Sequence, residues 1–175
     1  HAFEPWGPSS IDEGGIGGSE TAAVHMALQL ANLGHQVMMF GEHQGKEILW
    51  VPMPGVSGPG SVEYVDFRRA LENPKMLACD VFVSSRDKTV LRIKPDAKVK
   101  ILWIHDVHVG DDWENEVDLF DRVYCLTKWH REFVMEHYPH VEPERFHLTR
   151  NGIDPSRFEP DLTWPNLLAR KRPHL

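Results

Sequence analysis

The chain has 175 residues, of which 41% are hydrophobic, and this is enough for one domain with a buried core. Its net charge of -7 disfavours nucleic acid as a partner, and no apolar run is long enough to span a bilayer. Cys79 and Cys125 have the spacing of neither a disulfide framework nor a zinc site. Because both lie in apolar runs, we expect buried free thiols in a cytoplasmic protein.

The first predicted elements are a glycine-rich loop, a helix and a strand. Residues 1–13 show no periodicity, which indicates a loop, and four glycines then fall between Gly14 and Gly18. Ser19 is the expected N-cap of a helix with apolar side chains at helical spacing, and Gly34 is the expected residue just beyond its C-cap. The stretch HQVMMFGE that follows predicts a short buried strand.

Strands and helices continue to alternate along the rest of the chain. Further strands are predicted in SVEYVDF, CDVFVSS, VKILWIH, DRVYCLT and RFHLTRNGID, and helices in RRALEN and KWHREFVMEHY. Apolar strands separated by helices predict a doubly wound, mostly parallel Rossmann-like α/β sheet with both faces covered. We expect one such domain over residues 1–154 and a proline-rich linker over residues 155–175.

A first strand for this sheet is not evident in the sequence. In doubly wound folds the glycine-rich turn ordinarily follows the first strand, and residues 1–13 contain no candidate for it. We therefore expect the first strand to be missing from the domain over residues 1–154. The basic ending of residues 170–175 leads to no further element, so we expect a fragment of a longer protein.

The glycines at the start of the helix favour a phosphate ligand. Such a turn points free backbone N–H groups at one place, where the helix dipole favours negative charge. A tight turn without a ligand is the simpler alternative. No lysine follows the glycines, which excludes a P-loop, and Glu20 replaces the third glycine of a dinucleotide fingerprint. Glu42, just beyond the next strand, could hold a ribose and keeps a nicotinamide-dependent oxidoreductase as an alternative.

Three motifs together resemble one enzyme family. GGIGGSETAAVHMALQLANLGHQV is similar to the first loop and helix of the GT-B retaining glycosyltransferases of the family 4-like group, which includes sucrose and glycogen synthases. VYCLTKWHREFVMEHYP resembles a strand and helix late in their first domain, and RNGIDPSRFEP resembles the segment that ends it. The chain departs from the family at Arg150, where a proline is usual before Asn151.

The resemblance implies the acceptor-side half of a retaining glycosyltransferase that uses no metal and no cofactor. Its substrates would be a nucleotide sugar and an acceptor, which could be a saccharide, a lipid or a protein, with peripheral membrane contact as an option. The second domain, which carries most nucleotide contacts in the family, is absent from the sequence, so this chain alone is expected to be inactive. The implied donor-phosphate residues are Gly15, Ile16, Gly17 and Gly18.

Candidate acceptor-side residues follow the predicted strands. Ligands of parallel sheets bind at the carboxyl ends of the strands, so residues just beyond these ends should lie along one rim. The residues are Arg86, His105, Asp106, His108 and Lys128, with Asn151 and Gly152 as the hinge toward the second domain. Several members of the resembling family place a histidine at this strand end near the reacting sugar, which implies His105 as the catalytic residue.

Simpler interpretations of these residues stay open at the level of sequence. His105 could be a cap or a satisfied loop residue, and a metal pair of His105 with His108 lacks a third ligand of suitable spacing. Arg86 could be a solvated surface charge. His25 and His130, on predicted helices, are expected at the surface or in packing.

Four tryptophans divide between predicted strands or helices and predicted loops. Trp103 and Trp129 are expected in the core, whereas Trp6 and Trp113 lie in predicted loops and are weak candidates for stacking against a sugar. Besides the oxidoreductase, a non-catalytic sugar- or nucleotide-binding module would also keep the glycine loop.

Overall fold

The computed structural model describes residues 6–7, 10, 16–43, 59–87, 89–107 and 116–152. Within them the fold is α/β, with parallel strands in two sheets. The helices are α1 (Gly18–Asn32), α2 (Phe67–Glu72) and α3 (Lys128–His137). The strands are β1 (Gln36–Gly41), β2 (Ser61–Asp66), β3 (Cys79–Ser85), β4 (Ala97–Trp103), β5 (Arg122–Cys125) and β6 (Phe146–Leu148).

The strands form two parallel sheets where the sequence predicts one. The smaller sheet pairs β1 with β2, from Gln36 opposite Ser61 to Gly41 opposite Asp66. The larger sheet has the order β3-β4-β5-β6, and all its strands are parallel. The division arises because no described strand pairs with the edge of β1 away from β2, or with the edge of β3 away from β4.

Local signals predict the individual elements well. Each predicted strand and helix is present within a few residues of its expected place. The helix α1 ends in a Schellman motif, in which the N–H of Gly34 donates to Ala31 O and the N–H of His35 to Leu30 O. Gly34 has a φ of +98°, a conformation that favours glycine, so its prediction as the residue beyond the C-cap is confirmed.

Two hydrophobic clusters lie in the described residues, one with each sheet. The larger joins β4, β5 and α3, and its fully buried side chains include Leu102, Phe120, Val123 and Val134. The smaller packs α1 onto β2 and includes Trp6, Val24, Ala27, Ala31, Val62 and Tyr64. Each sheet is therefore stabilised by the apolar area that its own cluster buries.

Two of the aromatic predictions are wrong. Trp6 is buried in the smaller cluster, where it packs edge-to-face against His43 at a centroid distance of 5.1 Å, so it offers no platform for a sugar. Trp129 is 60% exposed and stacks on Phe133 instead of joining the core. The prediction that Trp103 is buried is confirmed.

One of the two cysteine predictions is also wrong. Cys125 is buried as expected, and burial raises its pKa to about 12. Cys79 is exposed because it is the first residue of β3, a strand that is paired on one side alone among the described strands.

Gly60 permits the closest approach between the end of α1 and the start of β2. Its N–H donates to Ala31 O at 3.1 Å, and the N–H of Ser61 donates to His35 O at 3.2 Å. A Cβ atom on residue 60 would collide with the backbone oxygens of both Ala31 and His35. The junction between helix and strand therefore requires glycine here.

We expect Gly60→Ala to lower the free energy of unfolding by about 1–3 kcal/mol, because backbone oxygens on two sides cannot yield as a flexible side chain would. Urea denaturation of the purified chain measures the change. Gly152→Ala is the matched control, since no atom of the described part of the chain lies within 4 Å of a Cβ built there. Equal stability of the two variants would contradict the requirement for glycine at residue 60.

Candidate functional site

The candidate site lies where β3 and β4 end and α1 begins. Arg86 directly follows β3, and His105 and Asp106 come just after β4. Because β3 and β4 are parallel neighbours, their carboxyl ends lie side by side. Contacts from Arg86 bring Ser19 and Glu20, in the first turn of α1, to the same edge. These five residues are called the rim below.

Arg86 is the centre of the rim. Its Nε donates to Asp106 Oδ2 at 2.6 Å and a terminal nitrogen donates to Asp106 Oδ1 at 3.3 Å. Its other terminal nitrogen donates to Ser19 Oγ at 3.3 Å and lies 3.9 Å from Glu20 Oε1. The backbone of Arg86 has a φ of 69°, and its N–H donates to Trp103 O. An arginine at positive φ with these partners is held in place and differs from a freely solvated surface charge.

The start of α1 differs from the prediction. Its N-cap is Gly17 with a φ of -56°, and the predicted N-cap Ser19 lies inside the first turn, where its hydroxyl donates to Glu20 Oε2. Among the described residues, no side chain caps the start of this helix. The backbone N–H groups of Gly18, Ser19 and Glu20 therefore have no partner within the helix, and the positive end of the helix dipole lies at the rim.

The carboxylate of Glu20 lies over Gly17. A Cβ built on Gly17 would collide with Glu20 Oε2, whereas no atom of the described residues lies within 4 Å of a Cβ built on Gly18. Glu20 thus supplies the negative charge that the start of α1 favours, and Arg86 balances it from the other side. An anionic ligand at Gly17 would compete with this carboxylate, while the described residues leave the space beside Gly18 open.

His105 holds a buried nitrogen at the rim. The residue is half-buried, its ring lies 4.4 Å from that of Trp103 between centroids, and its Nε2 is buried without a hydrogen-bond partner among the described residues. Burial is the main cause that lowers the pKa of His105, and the neighbouring Asp106 partly opposes it. A neutral imidazole with a free ring nitrogen can donate or accept one hydrogen bond to a ligand.

His130 is the rim's main support, and sequence reasoning missed this role. The residue is buried in the first turn of α3, its Nε2 lies 3.0 Å from Asp106 O, and its Nδ1 accepts the N–H of Leu126 at 3.3 Å. Thr127 Oγ1 in turn accepts the N–H of His130. An imidazole with its proton on Nε2 satisfies both ring contacts, so α3 fixes the backbone that carries Asp106. The spacing of Thr127 and His130, N-cap and third helical residue, is the sequence signal that could have indicated this contact.

Other predicted site residues have different surroundings. Ile16 is half-buried against the smaller hydrophobic cluster, so its side chain packs. Lys128 is exposed at the first position of α3, and no hydrogen bond or ion pair described here joins it to the rim. Asn151 and Gly152 are exposed just beyond β6. The structure therefore brings together Gly17, Gly18 and the rim, with these residues outside that group.

Three of the residues that the sequence singles out, Gly15, His108 and Trp113, lie outside the described residues. Glu42 is exposed just after β1, and its carbonyl oxygen accepts the N–H of Trp6. In the described part of the chain, no group of three or more His, Cys, Asp or Glu side chains is arranged to hold a metal ion. No helix of that part has the length and apolar character to cross a membrane.

The chain was also compared with known proteins. No family model, no curated protein and no solved structure matched it.

The lowered pKa of His105 predicts a pH dependence of stability. Because the folded state binds the proton less readily than the unfolded chain, stability is lost as the pH falls below the ordinary value of 6.5. We expect His105→Gln to lose less stability than the wild type between about pH 7.5 and about pH 5.5 in urea titrations. The exposed His35, changed to Gln, is the control. The prediction fails if both variants change the pH dependence equally.

Proposed function

We propose that this chain is the acceptor-side half of a GT-B glycosyltransferase, which moves a sugar from a nucleotide sugar to an acceptor with retention of configuration. The sequence support is the resemblance of three motifs in their expected order. The structural support is that the first turn of α1, Arg86 and His105 share one edge of the molecule. The buried Nε2 of His105, for which the described residues supply no hydrogen-bond partner, is the observation that carries the proposal.

The start of α1 and Arg86 are the proposed contacts for the donor diphosphate. Backbone N–H groups of the first turn and a guanidinium are both suited to a leaving phosphate, whose negative charge grows as the bond to the sugar breaks. Glu20 would turn away from Gly17 when the donor binds, and Arg86 would then meet phosphate in place of that carboxylate. The described residues leave space beside Gly18, and the donor phosphate would come closest to the helix there.

His105 would hold a sugar hydroxyl in the reacting complex. In the proposed reaction, an acceptor hydroxyl attacks the anomeric carbon on the face from which the diphosphate departs. The bond between that carbon and the diphosphate oxygen breaks, and the hydroxyl proton passes to the departing phosphate. Burial keeps His105 neutral, so its imidazole orients a hydroxyl without placing a second charge beside the phosphate.

We propose that the two sheets belong to one doubly wound sheet. Its order would be β2, β1, the first strand that Sequence analysis expects to be missing, and then β3, β4, β5 and β6, which would make the chain one half of a GT-B architecture. The second half, beyond residues 155–175, would bind the nucleotide. We propose a cytoplasmic location from the two cysteines without a disulfide framework, and an acceptor of saccharide, lipid or protein type from the family resemblance alone.

The direct test is turnover by the longest natural form of the protein. We expect transfer from a nucleotide sugar, with retention at the anomeric centre seen by NMR, and no turnover by the 175-residue chain because half a cleft cannot orient a donor. Robust transfer by the chain alone would overturn the half-enzyme proposal. Tight binding of reduced nicotinamide cofactor would favour the oxidoreductase, and sugar binding without turnover would favour a binding module.

His105→Ala in the complete protein is expected to lower kcat and kcat/KM together by about a hundredfold, the usual effect of losing one hydrogen bond made in the transition state. His105→Asn should recover part of the rate because its amide can replace the hydrogen bond. The matched control is His140→Ala, which removes an exposed histidine outside the rim. Thermal melts establish folding, and near-normal turnover of folded His105→Ala would exclude a catalytic role.

Gly18→Ala tests the proposed donor site. The added methyl group meets no atom of the described residues within 4 Å, and alanine suits a helix start, so the fold should be unchanged. If the donor phosphate occupies this space, the KM for the nucleotide sugar should rise by about tenfold or more, the effect of losing about 1.4 kcal/mol of binding. Unchanged donor kinetics in a folded variant would show that the loop is only a turn.

A further inference from the structure

The backbone that follows β4 is held at the rim by side chains. The last hydrogen bond that joins it to the sheet runs from the N–H of Ile104 to Tyr124 O at 2.9 Å. For residues 105–107, no hydrogen bond to another backbone group occurs within the described part of the chain. Side-chain contacts therefore decide where this segment lies.

His130 reaches this segment with an imidazole that α3 holds in one orientation. The residue is buried, and its Nε2 lies 3.0 Å from the carbonyl oxygen of Asp106. Its Nδ1 accepts the N–H of Leu126 at 3.3 Å, and its own backbone N–H donates to Thr127 Oγ1 at 3.0 Å. Because Nδ1 is an acceptor, a neutral ring carries its proton on Nε2 and donates it to Asp106. The ring is fixed from both sides, so holding Asp106 costs little further side-chain entropy.

The carboxylate of Asp106 is not oriented by burial, because 44% of its side chain is exposed. It accepts Nε–H of Arg86 at 2.6 Å and a terminal N–H of the same guanidinium at 3.3 Å. A carboxylate accepts two donors of one guanidinium only over a narrow range of orientations. That orientation follows from the position of the Asp106 backbone, and therefore from its contact with His130.

Arg86 extends this series of contacts to α1. Its other terminal nitrogen donates to Ser19 Oγ at 3.3 Å and lies 3.9 Å from Glu20 Oε1. Hydrogen bonds therefore form one continuous series from α3 to α1, through His130, Asp106, Arg86 and Ser19 in that order.

We propose that His130 is a positioning residue of the site: its imidazole fixes Asp106, and Asp106 in turn orients the guanidinium of Arg86 toward the first turn of α1. No hydrogen bond described here joins His130 to that turn, so it acts through the other two residues. The positioning is a property of this chain. Its importance for sugar transfer rests on the proposed function, in which Arg86 contacts the donor diphosphate.

Two substitutions of His130 separate positioning from a role in folding. Glutamine places an amide N–H near the position of Nε2 and keeps a donor for Asp106, whereas the shorter asparagine keeps an acceptor for Leu126 and loses that donor. In the 175-residue chain, NMR follows hydrogen exchange at Nε–H of Arg86. We expect exchange about tenfold faster in His130→Asn and near the wild-type rate in His130→Gln. The control is His137→Asn, the same change at an exposed position of α3, with exchange as in the wild type.

A double-mutant cycle tests whether His130 acts through Asp106. Asp106→Ala alone should speed exchange at Arg86 Nε–H, and adding His130→Asn should change the rate no further, because the carboxylate that links the two residues is already gone. Unchanged exchange in folded His130→Asn, an equal effect of His137→Asn, or a glutamine variant no better than the asparagine variant overturns the proposal. So does an additive effect in the double mutant.

The wild-type chain decides the question if His130→Asn does not fold. The ¹⁵N chemical shifts of the His130 ring show which nitrogen carries the proton. A slowly exchanging proton on Nε2 supports the contact with Asp106, and a proton on Nδ1 overturns it.

The longest natural form of the protein gives the kinetic test. We expect His130→Asn to raise the KM for the nucleotide sugar by about tenfold with the KM for the acceptor near the wild-type value, and His130→Gln to recover most of the loss. A loss of folded protein would lower the apparent kcat and leave both KM values unchanged. An unchanged donor KM in a variant with faster Arg86 exchange overturns the role in transfer. If the wild type transfers no sugar, the proposed function fails, and Arg86 exchange still decides whether His130 positions the rim.

Discussion

The contacts of Arg86 are the constraint on which the candidate site depends. One guanidinium joins the ends of β3 and β4 through Asp106 and reaches α1 through Ser19. Asp106 keeps 44% of its side chain exposed, so the ion pair contributes at most about 1 kcal/mol to stability. Its importance is positional: it sets the first turn of α1 against the strand end that carries His105. His130 stabilises this arrangement because its Nε2 hydrogen-bonds to the backbone oxygen of Asp106.

The start of α1 combines two demands that ordinarily conflict. A helix start that binds an anion needs free N–H groups, while a stable helix needs its dipole satisfied. Glu20 meets the second demand with a carboxylate that lies against Gly17, and the partner of that carboxylate is the rim arginine. The dipole of the helix is therefore compensated without a ligand, and in the proposed function an incoming phosphate would replace one anion by another.

The sequence predicts the local structure well and the long-range structure less well. Gly34, Thr127 and the apolar strand runs act through neighbours a few residues away, so the elements and the order of the rim residues could be predicted. The pairing of His130 with Asp106 joins residues 24 positions apart, and no periodicity encodes it. Trp6 is buried by β2, and Trp129 is exposed because His130 and Val134 take the inward side of α3. The two-sheet division depends on which strands meet, which local pattern does not specify.

The presence of a separate hydrophobic cluster on each sheet has a consequence for how the molecule unfolds. Apolar burial is the main source of cooperativity, and here each sheet has its own hydrophobic cluster, while hydrogen bonds of Arg86 link α1 to the ends of β3 and β4. The sheets should behave as two foldons that open separately.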